Sequence, residues 1–66
     1  MERDEATRIM VEEFGDRLQG EPAERNGWVT WSTRTSAQTN AKFVSRARAR
    51  GVRTAFARDN RVGFMA

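Results

Sequence analysis

The chain has 66 residues and a formal net charge of +3, and it contains neither cysteine nor histidine. Disulfides, thiolate or imidazole metal sites and Ser-His-Asp catalysis are therefore excluded. Leu, Ile, Val and Phe together number 11, about 17% of the chain and below the roughly 20% at which disorder becomes a concern. We expect one small domain over residues 1–66 with a marginal core, which a partner or a second copy could help to stabilise.

Charge is divided unevenly along the chain. Residues 1–33 carry eight acidic and four basic side chains, a net charge of −4, whereas residues 34–66 carry eight basic side chains and one acidic one, a net charge of +7. Eleven of the twelve basic residues are arginine, whose guanidinium binds phosphates and carboxylates and stacks on rings. A GC-rich genome would explain the excess of arginine but not its segregation.

The first predicted element is a helix over residues 3–19. Apolar residues recur at four-residue intervals from Ala6 to Leu18, with Val11 beside them, which is typical of one helical face. Gly20 would end this helix, and Pro22 would prevent its continuation.

The other face of this helix is acidic and would expose Ile9. It could meet a basic partner or a second copy of the chain, or it could be an ordinary solvated surface. We therefore hold it as a candidate second interface, whose residues are Ile9, Glu5, Glu12 and Asp16.

Residues 20–27 are predicted to form a loop with a turn at Asn26-Gly27, and residues 28–34 a strand. Alternation along the strand places Trp28 and Trp31 on opposite faces, because they are three residues apart. We expect Trp31 in the core. Trp28 is equally consistent with core packing and with an exposed position.

A second helix is predicted over residues 36–50, with a capping box beginning at Thr35 and a stop at Gly51. Lys42, Arg46 and Arg50 recur at four-residue intervals and would form one basic ridge. Arg48 falls on the apolar side, where it would either extend to solvent or pair with an acid.

Two strands complete the pattern, over residues 52–58 and 61–65, joined by a turn at Asp59-Asn60. This register places Arg58 opposite Arg61, and Phe56 opposite Gly63, which would leave room for the phenylalanine ring. The predicted fold class is α+β with the order α-β-α-β-β. We expect a three-stranded mixed sheet in which strands 28–34 and 52–58 are parallel neighbours through a helical crossover, with both helices on one face.

The basic side chains of the second half form the main candidate binding site. The set predicted to contact phosphates or a protein partner is Lys42, Arg46, Arg50, Arg53, Arg58 and Arg61. Trp28 and Phe56 could add stacking or apolar contacts on the sheet face that the helices leave bare. The alternative is a solvated face of an arginine-rich protein, because no known nucleic-acid-binding motif is present.

The composition favours a non-enzymatic interaction protein that docks on a larger protein or nucleoprotein complex. We expect it to modulate or inhibit a nucleic-acid process, as accessory proteins of phages and mobile elements do. The alternative is a module that binds nucleic acid directly through the helix 36–50 ridge and the hairpin tip. Met1 at the start is consistent with a complete small gene product. We expect a cytoplasmic protein with no membrane contact, no metal and no cofactor, and a homodimer is compatible with the sequence.

Overall fold

The computed structural model describes all 66 residues and shows two helices packed on one face of a four-stranded antiparallel sheet. The helices are α1 (Arg3–Phe14), followed by a 3-10 turn (Gly15–Arg17), and α2 (Ala37–Ala49). The strands are β1 (Leu18–Arg25), β2 (Trp28–Thr33), β3 (Phe56–Arg58) and β4 (Arg61–Met65). Their spatial order is β1-β2-β4-β3.

The predicted three-stranded mixed sheet with parallel neighbours is wrong. Strand β4 pairs antiparallel with β2 and separates it from β3, which lies at the sheet edge. Residues 52–55, predicted as strand, form turns in which Val52 and Ala55 are buried in the core. Only three residues then remain for β3, whereas the five residues of β4 form a full ladder along β2 and bury Val62 and Phe64.

Helix α1 is shorter than predicted because it ends at Gly15 rather than at Gly20. Gly15 has φ +57°, a left-handed conformation that glycine adopts without the steric cost of a Cβ atom. Leu18, predicted as the last apolar residue of the helix, instead begins β1.

Strand β1 is the element that the sequence pattern missed, since residues 20–27 were predicted to be a loop. Asn26 and Gly27 have φ +53° and +82°, so this pair forms the tight turn of a β1–β2 hairpin. The β1–β2 register shifts between Gln19 and Ala23, where the strand contains Pro22. Proline is tolerated there because β1 is an edge strand.

Ile9 is buried, with 2% of its surface exposed, and the prediction that it is exposed is wrong. Because α1 ends at Phe14, its buried face is set by Ala6, Ile9, Met10 and Phe14 rather than by a four-residue series reaching Leu18. Val11 is 47% exposed instead. The acidic face of α1 therefore lacks its predicted apolar residue.

The core is one cluster of 12 buried residues drawn from both helices, the inner sheet face and the segment between α2 and β3. Trp31 belongs to it, which confirms its predicted place in the core, and its ring packs beside that of Phe64. The rings of Phe14 and Phe43 meet with centroids 5.6 Å apart and join the end of α1 to the middle of α2. The two helices and the sheet thus share a single hydrophobic core.

Side-chain hydrogen bonds hold α2 to the hairpin. Ser36, not Thr35, is the N-cap and accepts from the backbone N–H of Thr39, while the Asp59 carboxylate accepts from the N–H of Ala37 at 2.6 Å. Arg48 is exposed and pairs with no acid, and its guanidinium donates twice to the carbonyl oxygen of Ala55. The Asp59 contact fixes the β3–β4 turn against the start of α2, and the Arg48 contact fixes the segment before β3 against the end of α2.

Candidate functional site: the open face of the sheet

Alternating residues divide the sheet into two faces. Val29, Trp31, Val62 and Phe64 point into the core. Trp28, Thr30, Phe56 and Gly63 lie on the other face, because Thr30 and Phe56 both pair with Gly63 and Trp28 lies two residues before Thr30 on β2. We call this second surface the open face, since both helices contribute to the core on the other side of the sheet.

Two aromatic rings meet on the open face. The centroids of Trp28 and Phe56 are 5.3 Å apart and the ring planes are inclined at 83°, an edge-to-face arrangement. Both side chains are half-buried, so part of each ring remains accessible to solvent. We refer to this pair as the aromatic corner.

Gly63 determines where the Phe56 ring lies. A Cβ atom at this position would lie 2.5 Å from the carbonyl oxygen of Val29 and 2.8 Å from Cε2 of Phe56. The absence of a side chain lets the phenylalanine ring rest directly over the β4 backbone. The structure confirms that Gly63 makes room for Phe56, and it confirms the register in which Arg58 pairs with Arg61.

Three arginines surround the aromatic corner. Arg25 pairs with Trp28 across the β1–β2 ladder, Arg61 pairs with Arg58, and the Arg58 guanidinium lies 5.7 Å from the Phe56 ring centroid. These side chains line a cavity of about 560 Å³, whose full lining is Ala23, Arg25, Asn26, Trp28, Thr30, Phe56, Arg58 and Arg61. No carboxylate lines it, and none of the three arginines forms a salt bridge.

The predicted helix ridge lies in the layer on the opposite side of the sheet, with Lys42 and Arg46 on α2 and Arg50 directly after it. Arg50 is already paired there, because its guanidinium donates to the carboxylates of Glu12 at 2.5 Å and Glu13 at 3.0 Å. These hydrogen bonds, with one from Arg8, hold the pKa of the Glu12 carboxyl below its usual range. They likewise raise the pKa of Arg50.

The six predicted cations therefore do not form one surface. Arg58 and Arg61 are on the open face, and Lys42 and Arg46 are exposed on α2. Arg53 is exposed in the turn between α2 and β3, where it lines a separate cavity with Met1.

Phe43 on α2 is partly covered by cations. The guanidinium of Arg17 lies 4.3 Å from its ring centroid and that of Arg46 lies 5.4 Å from it. Of the ridge, only Lys42 therefore remains without a salt bridge or an aromatic contact.

The acidic residues of the candidate second interface differ in whether they form salt bridges. Glu12 is bound to Arg8 and Arg50. Glu5 and Asp16 are exposed and form no salt bridge. With Ile9 buried, this face exposes one ion-paired and two unpaired carboxylates and lacks the apolar side chain that was predicted there.

Arg25 is the site residue that sequence reasoning missed. Residues 20–27 were read as a loop, which left Arg25 without a defined position. The Asn26-Gly27 pair is itself the signal of a two-residue hairpin, and such a hairpin places the residue before it opposite the residue after it. That reading would have brought Arg25 beside Trp28.

The chain matches no protein-family model, no curated protein and no solved structure in the comparisons made with it. Neither helix is long and apolar enough to cross a membrane. No three Asp or Glu side chains gather in a way that could hold a metal ion. The chemical character of the open face therefore carries the functional argument.

Proposed function

We propose that this protein is a small non-enzymatic module that binds nucleic acid on the open face of its sheet. The observation that carries the proposal is the aromatic corner of Trp28 and Phe56 surrounded by Arg25, Arg58 and Arg61, with no carboxylate in the cavity lining. Guanidinium groups bind phosphates, and aromatic rings bind the faces of bases. Both components of a nucleotide thus have a counterpart on one surface.

Arg58 and Arg61 face each other directly across the β3–β4 hairpin. Like charges in this position repel each other, which disfavours the pairing. A phosphate between them would relieve the repulsion, and release of the counterions that it carries would add to the affinity. Of the predicted basic set, the hairpin arginines therefore belong to the proposed site, whereas Arg50 is already neutralised by Glu12 and Glu13.

The second candidate function is docking on a larger protein to modulate or inhibit a nucleic-acid process. The observation that favours it is Met65, which is 44% exposed and pairs with Trp28 across the β2–β4 ladder. A methionine beside an aromatic ring with arginines around them is a composition typical of protein interfaces. An acidic protein surface would satisfy the same arginines.

The test compares two variants that each lose two positive charges. We expect R58Q/R61Q to weaken binding to a labelled oligonucleotide and to reduce the slope of log K against log salt by about one per arginine. The matched control is K42Q/R46Q on α2, which we expect to bind like the parent. The measurement is fluorescence anisotropy across a salt series, with circular dichroism to check that both variants fold.

Two outcomes would contradict the proposal. Loss of binding in K42Q/R46Q with retention in R58Q/R61Q would move the site to the helix ridge. A parent protein that binds neither single- nor double-stranded oligonucleotides would leave the docking function, and a pull-down against host proteins with R58Q/R61Q as the negative control would then test it.

A further inference from the structure

We infer that the open face binds a single-stranded nucleic acid and that the aromatic corner binds one unpaired base. We call this base-binding site at Trp28 and Phe56 the base seat. This inference rests on the proposed function and specifies the class of nucleic acid. It follows from the geometry of the two rings, from the support that Gly63 provides beneath them, and from the positions of the arginines on either side.

The ring geometry sets the number of bases at one. Because the planes of Trp28 and Phe56 are inclined at 83°, a flat base can lie parallel to only one of them at a time. The other ring then meets the edge of that base and forms a wall of the seat. The cavity of about 560 Å³ lies within the range of roughly 300–1,000 Å³ found for small-molecule sites, so it can hold one nucleotide.

The seat is already formed before a ligand arrives. Phe56 rests on the backbone at Gly63, where a Cβ atom would come within 2.9 Å of Cγ2 of Thr30 as well as contacting the ring. Both rings are half-buried against each other and against the strands beneath them. A preformed surface reduces the loss of side-chain freedom on binding.

The arginines are placed to hold the backbone on both sides of the seated base. Arg25 is on β1 and Arg58 is on β3, which are the two edge strands of the sheet. Three strand spacings of about 4.8 Å separate them across the sheet, and four residues of about 3.3 Å separate their levels along β2, which gives a diagonal of roughly 20 Å. A strand crossing the sheet would thus have a phosphate contact before and after the base at the aromatic corner.

A duplex cannot use this seat. Its bases are paired and stacked on one another, so they present edges rather than faces to a protein. A duplex would contact the arginines alone and would lose the contribution of the rings. Stacking on an aromatic side chain changes affinity by about 5- to 150-fold per base.

The experiment separates base binding from phosphate binding. The probes are a ten-nucleotide thymidine strand and a ten-unit abasic strand of the same backbone charge. We expect the parent to bind the thymidine strand at least about fivefold more tightly. We expect W28L to bind both strands with the affinity that the parent has for the abasic strand. W28F keeps a ring and should recover part of the preference for the thymidine strand.

Tryptophan fluorescence gives a second readout. Trp31 is buried in the core with 3% of its surface exposed, so it serves as an internal reference. We expect the thymidine strand to quench Trp28 emission and the abasic strand to leave it unchanged. W28L should lose the quenching while its residual Trp31 emission remains that of a folded core.

The outcomes separate the two proposals. Equal affinity of the parent for the thymidine and abasic strands would overturn the base seat and leave phosphate binding on the open face intact. Failure to bind either strand would overturn the base seat, and failure to bind a duplex as well would overturn the proposed function too. Equal loss of affinity for both strands in W28L would show that Trp28 supports the fold of the site rather than a base.

Discussion

Asn40 is a fully buried polar residue that connects three parts of the chain. Its Nδ2 group donates to Thr33 Oγ1 at 2.9 Å, to the carbonyl oxygen of Arg58 at 2.8 Å and to that of Thr35 at 3.3 Å. Its Oδ1 atom accepts from the Thr35 hydroxyl. One side chain on α2 therefore joins the end of β2 to the end of β3, next to Arg58 of the proposed site.

We expect Asn40→Leu to lower the free energy of unfolding by about 2 kcal/mol or more. The leucine would remove one hydrogen bond each from the Thr33 hydroxyl, the Thr35 hydroxyl and the Arg58 carbonyl. Loss of a partner by a buried polar group costs about 1–3 kcal/mol. Urea denaturation followed by tryptophan fluorescence measures the change. Gln38→Leu, at an exposed position on the same helix, is the control and should stay within about 0.5 kcal/mol of the parent.

At the scale of secondary-structure elements, one arginine ties the two helices together. Arg50, the residue after α2, donates to Glu12 and Glu13 near the end of α1. These two salt bridges also join the basic second half of the chain to the acidic first half. Folding thus pairs part of the segregated charge, since Arg50 is neutralised by acids of α1. The arginines of the open face stay unpaired, so that face remains positively charged.

The pairing of Arg50 with Glu12 predicts that the difference in stability between the parent and Arg50→Gln depends on pH. Because the pKa of Glu12 is lowered in the folded protein, its contribution to stability is present above the unfolded value of about 4.3. It is lost as the pH falls through the depressed folded pKa. We expect the parent to be the more stable protein at pH 7 and the difference to vanish in acid.

Thermal denaturation between pH 2 and pH 7 measures this difference, and the gap should also narrow at high salt because the pair is partly exposed. Arg53→Gln removes the same charge from a residue that forms no salt bridge and serves as the control. A gap between parent and R50Q that persists unchanged at pH 2 would show that Arg50 stabilises the fold through packing instead.

At the scale of the whole molecule, a single core of 12 residues supports both layers. Phe14 lies at its centre with no exposed surface and joins α1 to Phe43 of α2. A chain of this length has a total stability of about 3–10 kcal/mol. Loss of one large core side chain therefore affects the entire fold, the open face included.

We expect Phe14→Ala to cost about 3–5 kcal/mol and to unfold most of the protein at 37 °C. The measurement is a melting curve by circular dichroism. Val11→Ala on the exposed side of the same helix is the matched control and should melt within a few degrees of the parent. A melting temperature of F14A close to that of the parent would show that α1 is peripheral to the core.

The local sequence signals determined a large part of the elements and of the site. Both helices, the strand at residues 28–33, the hairpin register and the pairing of Phe56 with Gly63 follow from short-range patterns. These features depend on spacing along the chain and on turn residues, which act over a few positions. The same patterns placed Trp28 and Trp31 on opposite faces of the strand but left open whether Trp28 packs in the core.

The tertiary structure alone decided which strands are neighbours. Either β3 or β4 could pair with β2 as far as local sequence signals go. The choice depends on which of the two strands buries more apolar surface against residues distant in sequence. The burial of Ile9 and the pairing of Arg50 with α1 follow from that assembly, whereas the local turn after Arg25 sets its place beside Trp28. The sequence by itself determined the chemistry of the open face, and tertiary packing determined which arginines share it.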